Sequence, residues 1–395
     1  MYIITNTILA IICLYLILKA FVKIKFRFWS AQPVFHIYDL HHWLRPNHIV
    51  ESNIPNIDKY VNLIDIQTTA VSEMTSESVS EFCNFIKTYY LRMKGSEYLP
   101  EESHIMEYFK GSNHPSYVSI YRGPKLAFQF HTEEEKEKEI NSVISARILY
   151  ITLKGQSPFP IYYIDNLCVN PKMRKKGIAP KAIRTLYYEL RRKNTKVNTY
   201  LFKREGEMTA IVPLTTFQCK GYDISCIEPM ELPHASMALI EVTAKNLHLL
   251  TDFVKMKGPN LDCVIVPELA NLANIINSNS MAIYGILEAG KLIAAYLLRD
   301  SATSYDEHAS MEVVCSLSAC PFKEIFVSGF SKAINICSEK WSCSKVLIEG
   351  LGDNNILAEY VESREFKPFM TSPSAFFLYN YVSYRHQPDK CFIIC

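Results

Sequence analysis

The sequence predicts an α/β fold in two halves of similar element order, with mixed central sheets flanked by helices. Three observations carry this. In both halves β-rich apolar runs alternate with helically spaced segments, the pattern of sheets covered by helices and not of an all-α bundle. The 395 residues are enough for two domains of roughly 100–200 residues each. The composition, 49% hydrophobic with 13 Gly and 19 Pro, is that of an ordinary globular chain and excludes wholesale disorder, collagen and a coiled-coil rod. With 42 basic against 40 acidic residues there is no global field for gripping nucleic acid, so a polyanion must be met by a local cluster.

Residues 8–18 read ILAIICLYLIL, and the apolar stretch 2–22 has about the length of a bilayer span. Lys19 is its one charge and can snorkel. A cleaved signal peptide is the rival reading, but no basic segment precedes the run and no small-X-small site follows it. Lys23, Lys25 and Arg27 come next, which makes the segment a single-pass transmembrane anchor with the body on the cytosolic side. Runs 143–153 and 161–169 read as strands, 178–192 as a helix burying Ile183, Leu186, Tyr187 and Leu190, and 197–203 as a strand. In the second half, 283–287 and 292–298 flank a Glu-Ala-Gly-Lys turn and read as a hairpin. A helix through Phe330, Ala333, Ile334 and Cys337 follows, then strand 345–349, a helix near 356–362 and a last strand 376–382. Residues 96–111 carry the weakest pattern, and the charged run 133–139 reads as a solvated loop between hairpin strands. The chain thus divides into an anchor, 1–22, and two halves, 23–215 and 216–395.

The twelve cysteines are scattered, with no Cys-X-X-Cys and no His at zinc-site spacing, so they read as buried free thiols and no metal is expected. Twenty-two asparagines form no Asn-X-Ser/Thr sequon. Both features favour a reducing, cytosolic compartment.

The stretch 163–186, YIDNLCVNPKMRKKGIAPKAIRTL, runs from a strand through a cationic turn and one glycine into a helix opening at Ile178. The unpaired N–H groups and positive dipole end of such a helix start form an anion site, and Gly177 lets phosphate approach the backbone. Ten of the 25 residues from 172 to 196 are Lys or Arg, opposed only by Glu189. A solvated helix face accounts for Arg191, Arg192 and Lys193, and less well for Arg174, Lys175 and Lys176 beside the glycine. The pattern Arg-X-X-Gly-X-Ala, Arg174 to Ala179, is similar to the pyrophosphate loop of GNAT-type acyl-CoA transferases. Asn166-Leu167-Cys168-Val169, followed by Ile178-Ala179-Pro180, resembles the signature of the eukaryotic N-myristoyltransferase family. So does Phe28-Trp29-Ser30-Ala31-Gln32-Pro33-Val34, which resembles the element opening that family's catalytic core. The aromatic segment Phe376-Phe377-Leu378-Tyr379-Asn380-Tyr381 is similar to its last strand. The resemblance spans 28–395, carried by these three places and by element order between them.

That resemblance implies two GNAT-like halves, the first binding acyl-CoA and the second supplying much of a peptide groove. It implies transfer of a fatty acyl group, myristoyl, from myristoyl-CoA as co-substrate to a protein or peptide with an N-terminal glycine. By matched position Arg27, Phe28 and Trp29 would pack on or near CoA, and Cys168, Val169, Arg174, Lys175, Gly177, Ile178 and Ala179 would hold its pantetheine and phosphates. Aromatics just after a membrane helix also serve as interfacial anchors, so two roles stand for Phe28 and Trp29. Attack on a thioester develops an oxyanion that fixed backbone N–H groups stabilise. The resemblance places those donors at Asn166 and Leu167, with Asn166 where the family usually has phenylalanine; the Asn166 side chain serves equally well to end a strand. The attacking glycine arrives as an ammonium with a pKa of about 8 and needs a base within reach. By resemblance that base is the terminal carboxylate of Cys395, closing the apolar tail that begins at Lys390. A frayed or membrane-touching tail is the alternative.

Departures fall on the peptide side. Met370-Thr371-Ser372-Pro373-Ser374 stands where the family has Gly-Asp-Gly-Asn, Phe217-Gln218-Cys219 where it has Tyr-Trp-His, and Cys315-Ser316-Leu317-Ser318 where it has Phe-Tyr-Thr-Leu-Pro. No cysteine has His and an acid at a recognisable spacing, which favours direct attack without a covalent intermediate. Two other readings stay open. One is a GNAT enzyme using a shorter acyl-CoA on an amine or lysine, favoured by Gly177 where the family often has a basic residue. The other is a non-catalytic acyl-CoA or acyl-peptide binding protein.

Overall fold

A computed structural model of the chain describes residues 2–92, 95–124, 138–206 and 209–395. Two crossover units set the architecture. Strand Lys138–Leu153 pairs antiparallel with Phe159–Val169, and helix Ile178–Lys193 then returns the chain to Tyr200–Glu205, parallel to Phe159–Val169. The second half repeats the order: Lys291–Tyr305 pairs antiparallel with His308–Ser318, and helix Lys323–Lys340 leads to Lys345–Glu349, parallel to His308–Ser318. A parallel pair needs such a helical crossover because no tight turn can reverse the chain twice. Strands Met370–Tyr379 and Thr215–Asp223 join the two units into one sheet, lying side by side between Tyr200–Glu205 and Lys345–Glu349. Segments on either side of residue 215 therefore share one sheet, whose first-half end continues through Cys263–Val266 to Cys391–Ile393.

Alternation along the strands sends side chains to two faces. Phe377 and Tyr379 pack under helix Ile178–Lys193 with Tyr162, Leu186, Tyr187 and Tyr200, whereas Phe376 and Leu378 join a cluster with Leu250, Phe253, Ile275 and the chain end Phe392–Cys395. Helix Lys323–Lys340 buries Ile325, Phe326, Phe330, Ala333, Ile334 and Cys337 against the second half. It approaches the sheet closely at Gly329, where an added Cβ would come within 2.6 Å of Ile286 Cδ1 and Tyr296 Oη. Truncating the fully buried Phe330 to Ala would cost about 3–5 kcal/mol.

The expected hairpin is Met281–Glu288 with Lys291–Tyr305. Ala289 (φ 48°) and Gly290 (φ 77°) both turn left-handed between them, which matches the right-handed twist of the flanking strands. Residues 96–111, where the sequence pattern is weakest, hold strand Ser96–Tyr98, helix Glu102–Met106 and a short turn of helix Glu107–Phe109. Three expectations need correction. Of the charged run 133–139, residues 133–137 lie outside the described residues, while Lys138 and Glu139 open a strand by pairing with Pro124 and Gly123. The last strand stops at Tyr379, because Asn380 turns left-handed (φ 63°) and sends Tyr381–Val382 to pair with His48–Ile49. The strand expected over 197–203 begins at Tyr200 and runs to Glu205.

Helix Tyr2–Lys25 is long and apolar enough, by length and composition, to cross a membrane. Its 24 residues measure about 36 Å, and Val22, its one buried residue, packs on Tyr38 and Ala210. All twelve cysteines are free thiols, nine of them buried.

Candidate functional site

A cavity of about 560 Å³ opens between helix Ile178–Lys193 and the sheet and reaches into the second half. Ile144, Ile183, Leu186, Tyr187 and Tyr200 make one end apolar; Lys203, Arg204, Glu205, Arg299, Asp300 and Glu312 line the other. Trp29 is on the wall, stacked on Phe202 with ring centroids 5.3 Å apart, and Phe28 meets Trp29 and Tyr60 edge-on at 5.0 and 5.2 Å. The Phe28–Val34 element is tied to the last long strand: Gln32 Nε2 donates to the Phe28 carbonyl (3.2 Å), and Tyr379 Oη donates to Gln32 Oε1 (2.7 Å). Arg27 is exposed.

The strand Phe159–Val169 breaks on this wall. Val143 pairs with Cys168 and Ser145 with Asp165, so Ile144 alone stands opposite both Asn166 and Leu167. Such a two-against-one bulge kinks the strand. Asn166 adopts a left-handed conformation (φ 54°), which asparagine tolerates better than most residues. Its side chain holds the kink: Nδ2 donates to Ser145 Oγ (2.9 Å), and Ser145 Oγ donates to the Asp165 carbonyl (3.1 Å). The Asn166 N–H donates to its neighbour's carboxylate, Asp165 Oδ1, at 2.7 Å.

The cationic turn follows at once. Asn170 Oδ1 accepts from the Lys172 N–H (3.1 Å), and Arg174 Nε donates back to the Val169 carbonyl (3.3 Å). Lys175 (φ 63°) and Gly177 (φ 76°) are both left-handed, which curls the loop onto the start of a helix with no acid in its first turn. A Cβ on Gly177 would meet no atom within 4 Å, so the space beside the helix start is open. Ile178 is buried against Ile66 and Tyr121, with Val169 packed on the same group, while Ala179 is half-buried. Cys168 turns its side chain into the core with Phe82, Ile86 and Val143, and burial pushes its thiol up to about 12. Near neutral pH it carries no thiolate.

The chain end is inside the molecule, which excludes a frayed or membrane-touching tail. Strand Cys391–Ile393 runs parallel to Cys263–Val266, and every residue from Cys391 to Cys395 is at most 5% exposed. Arg299 Nη1 donates to the Cys395 main-chain oxygen at 2.7 Å, while Nε of the same guanidinium donates to Glu312 Oε2 at 2.9 Å. Arg299 and Glu312 line the cavity, and Arg299 joins the Cys395 main-chain oxygen to it. Arg147, also on the wall, is held between the rings of Tyr108 and Tyr163 at 4.9 and 5.0 Å.

The charged end of the cavity contains residues that sequence reasoning missed. Lys203 Nζ donates to Glu349 Oε1 (2.7 Å) and lies 3.4 Å from Glu205. Burial raises the Glu349 carboxyl, helped by the like charge of Glu312 and only partly offset by Lys203. Burial would also raise Glu312, but Arg299 and Lys203 together outweigh it and hold that carboxyl below its ordinary value. His104, on the wall, sits 3.3 Å from Asp300, and this contact raises the imidazole pKa against the opposing effect of burial. None of 217–219, 315–318 or 370–374 lies on this wall. Phe217 stacks on Phe376 in the core, Cys315 is fully buried, and Ser316 bonds Asn354 (2.5 Å). Among the described residues no group of three or more His, Cys, Asp or Glu is placed to hold a metal ion.

No family model matches the sequence, and no curated protein matches it. Solved structures do. A crystal structure of Saccharomyces cerevisiae N-myristoyltransferase with bound myristoyl-CoA superposes with TM-score 0.70 at 12% identity, covering 95% of each chain. A second, of the same yeast enzyme with myristoyl-CoA, gives 0.69 at 12% identity over 92% of this chain and 93% of that one. A third, with myristoyl-CoA and inhibitors, gives 0.69 at 12% over 95% and 96%. The chain therefore has the fold of those proteins nearly end to end, a mixed α/β GNAT-like architecture, as its motifs led one to expect.

Proposed function

We propose that the chain is a membrane-tethered N-acyltransferase of the N-myristoyltransferase type, moving a myristoyl group from CoA to the N-terminal glycine of a protein or peptide. The observation that carries this reading is the strand break at Asn166 and Leu167, which opens on a cavity apolar at one end and ion-paired at the other. Its volume of about 560 Å³ falls in the range of small-molecule sites and favours a long acyl chain over acetyl.

Each part of the site then has a task. Ile144, Ile183 and Leu186 wall the acyl chain. Arg174 and Lys175, with the free N–H groups at Gly177, Ile178 and Ala179, meet phosphate. Arg27, Phe28 and Trp29 pack beside CoA, and Val169 and Cys168 contribute main chain, the Cys168 thiol being turned away. The N–H groups of Asn166 and Leu167 face the negative charge that develops on the thioester oxygen, the Asn166 N–H once it has released Asp165. The Cys395 carboxylate, steadied by Arg299, takes a proton from the glycine ammonium. The amine then attacks the thioester carbon, the C–N bond forms as the C–S bond breaks, and CoA leaves as its thiol. The first half, 23–215, carries the CoA side, and 216–395 carries the peptide side. Helix Tyr2–Lys25 anchors the body to the cytosolic face of a membrane, where both a fatty acyl-CoA and an acylated product partition.

The test is incubation of the purified chain with myristoyl-CoA and Gly-first or Ala-first peptides, amide product being followed by mass. A version with one glycine added after Cys395 is the control. Product on Gly-first peptides alone, lost in the extended version, is expected. Binding of myristoyl-CoA without turnover on any peptide would leave the chain an acyl-CoA binding protein and overturn the transferase reading.

A further inference from the structure

We propose that the surface formed by Ile37, Leu40, Trp43 and Leu44 lies in the headgroup layer of the bilayer that helix Tyr2–Lys25 crosses, so that the body rests on the membrane in one fixed orientation. This rests on the reading of that helix as a span. The helix is docked to the body along one face, since Tyr15, Lys19 and Val22 are spaced to lie above one another. Val22 packs on Tyr38 and Ala210 with Tyr15 against the same group, and Lys19 Nζ lies 5.8 Å from the ring centres of both Tyr15 and Tyr38. Tyr15 stands about 15 Å up the helix from Lys25. The body therefore touches the helix well above its exit, and the membrane boundary must meet the body at the level of Tyr38.

At that level the body is apolar. Leu40 is 61% and Leu44 82% exposed, and Ile37 and Trp43 are exposed beside them. Trp43 is fixed: its Nε1 donates to the Ile37 carbonyl (3.1 Å), and its ring stacks on Tyr384 at 6.1 Å and meets Phe35 edge-on at 4.8 Å. A rigid Trp and Tyr pair with an apolar body and a polar rim is what the headgroup layer favours. The surrounding charge has the matching sign. Residues 1–50 carry Lys19, Lys23, Lys25, Arg27 and Arg45 against Asp39 alone, and Asp39 is taken up by the His36 N–H at 3.0 Å. Such a surface is drawn to the anionic lipids of a cytosolic leaflet.

The experiment places p-benzoylphenylalanine in the full chain, in separate variants, at Leu44, at Ile11 inside the span and at Leu269, which is exposed on helix Leu269–Asn277. Each variant is reconstituted into phosphatidylcholine–phosphatidylserine vesicles and irradiated, and lipid adducts are identified by mass. Adducts at Ile11 and Leu44, with none at Leu269, are expected. Adducts at Ile11 but none at Leu44, or crosslinks from Leu44 to a second protein chain, overturn the proposal while the span stands. No lipid adduct at Ile11 removes the span, and this surface with it.

Discussion

Replacing Arg299 by Met removes one guanidinium that serves two partners, Cys395 at 2.7 Å and Glu312 at 2.9 Å. The first loss concerns stability. Deleting one member of a buried pair strands the other charge at a cost of about 3–5 kcal/mol. Both side chains are 22% exposed and Lys203 still faces Glu312, so the lower end, about 3 kcal/mol, is expected. Adding Glu312→Gln removes one stranded charge but leaves the buried Cys395 carboxylate without its cation, so the double variant should regain only part of the loss. The second loss concerns catalysis and should not be regained. With the Cys395 carboxylate as the proposed base, loss of this cationic donor disfavours its ionised form, so the acid limb of the pH–rate profile should move to higher pH in both variants. Denaturant midpoints and turnover by mass, measured on wild type, R299M, E312Q and R299M/E312Q, separate the two effects. A double variant as unstable as the single would show that Glu312 is not a stranded charge. One that regains both stability and the wild-type pH–rate profile would refute Arg299 as the group that positions the chain end.

Acyl length should follow burial at about 0.8 kcal/mol per methylene, so lauroyl-CoA should compete about 15-fold less well than myristoyl-CoA; equal competition would mean the apolar end of the cavity does not hold the chain. Gly177→Ala meets no neighbouring atom but must keep φ 76°, so it should lower stability by about 1–2 kcal/mol and raise KM for the acyl-CoA. Unchanged denaturant midpoint and KM would exclude a role for that turn. His104 has its pKa raised by Asp300, so the stability it contributes is fully present below about pH 6.5 and is lost as pH rises through the higher folded value. Unfolding curves at acid and alkaline pH should show this slope in wild type and lose it in His104→Asn.

The parts of the fold that are legible in the sequence are those in which one element carries its own signal. The left-handed pair Ala289 and Gly290 announces its hairpin, helix Ile178–Lys193 shows its spacing, and the Asn166–Ala179 run shows strand, turn and helix start in order. Strand His308–Ser318 is not read, although its burial is nearly continuous from Ser310 to Leu317, because Glu312 interrupts the apolar run. The charged end of the cavity is invisible for a related reason. Lys203, Arg299, Glu312 and Glu349 come from four strands, and a lone charge within a strand reads as a solvated face. Only the pairing register makes them neighbours: Arg299 stands directly opposite Glu312, and Glu312 lies on the strand paired with Lys345–Glu349. Arg299 and Glu312 face each other across one hairpin, but Lys203 and Glu349 reach them on strands far away in sequence, so no local spacing relates all four. This changes the meaning of the departures at 217–219, 315–318 and 370–374. Those residues lie off the cavity wall, and the wall opposite the apolar end is built from Lys203, Glu205, Arg299 and Glu312 instead. The missing motif is therefore no measure of missing polar groups: the end of this cavity opposite the apolar one is charged, on residues that a motif comparison does not align.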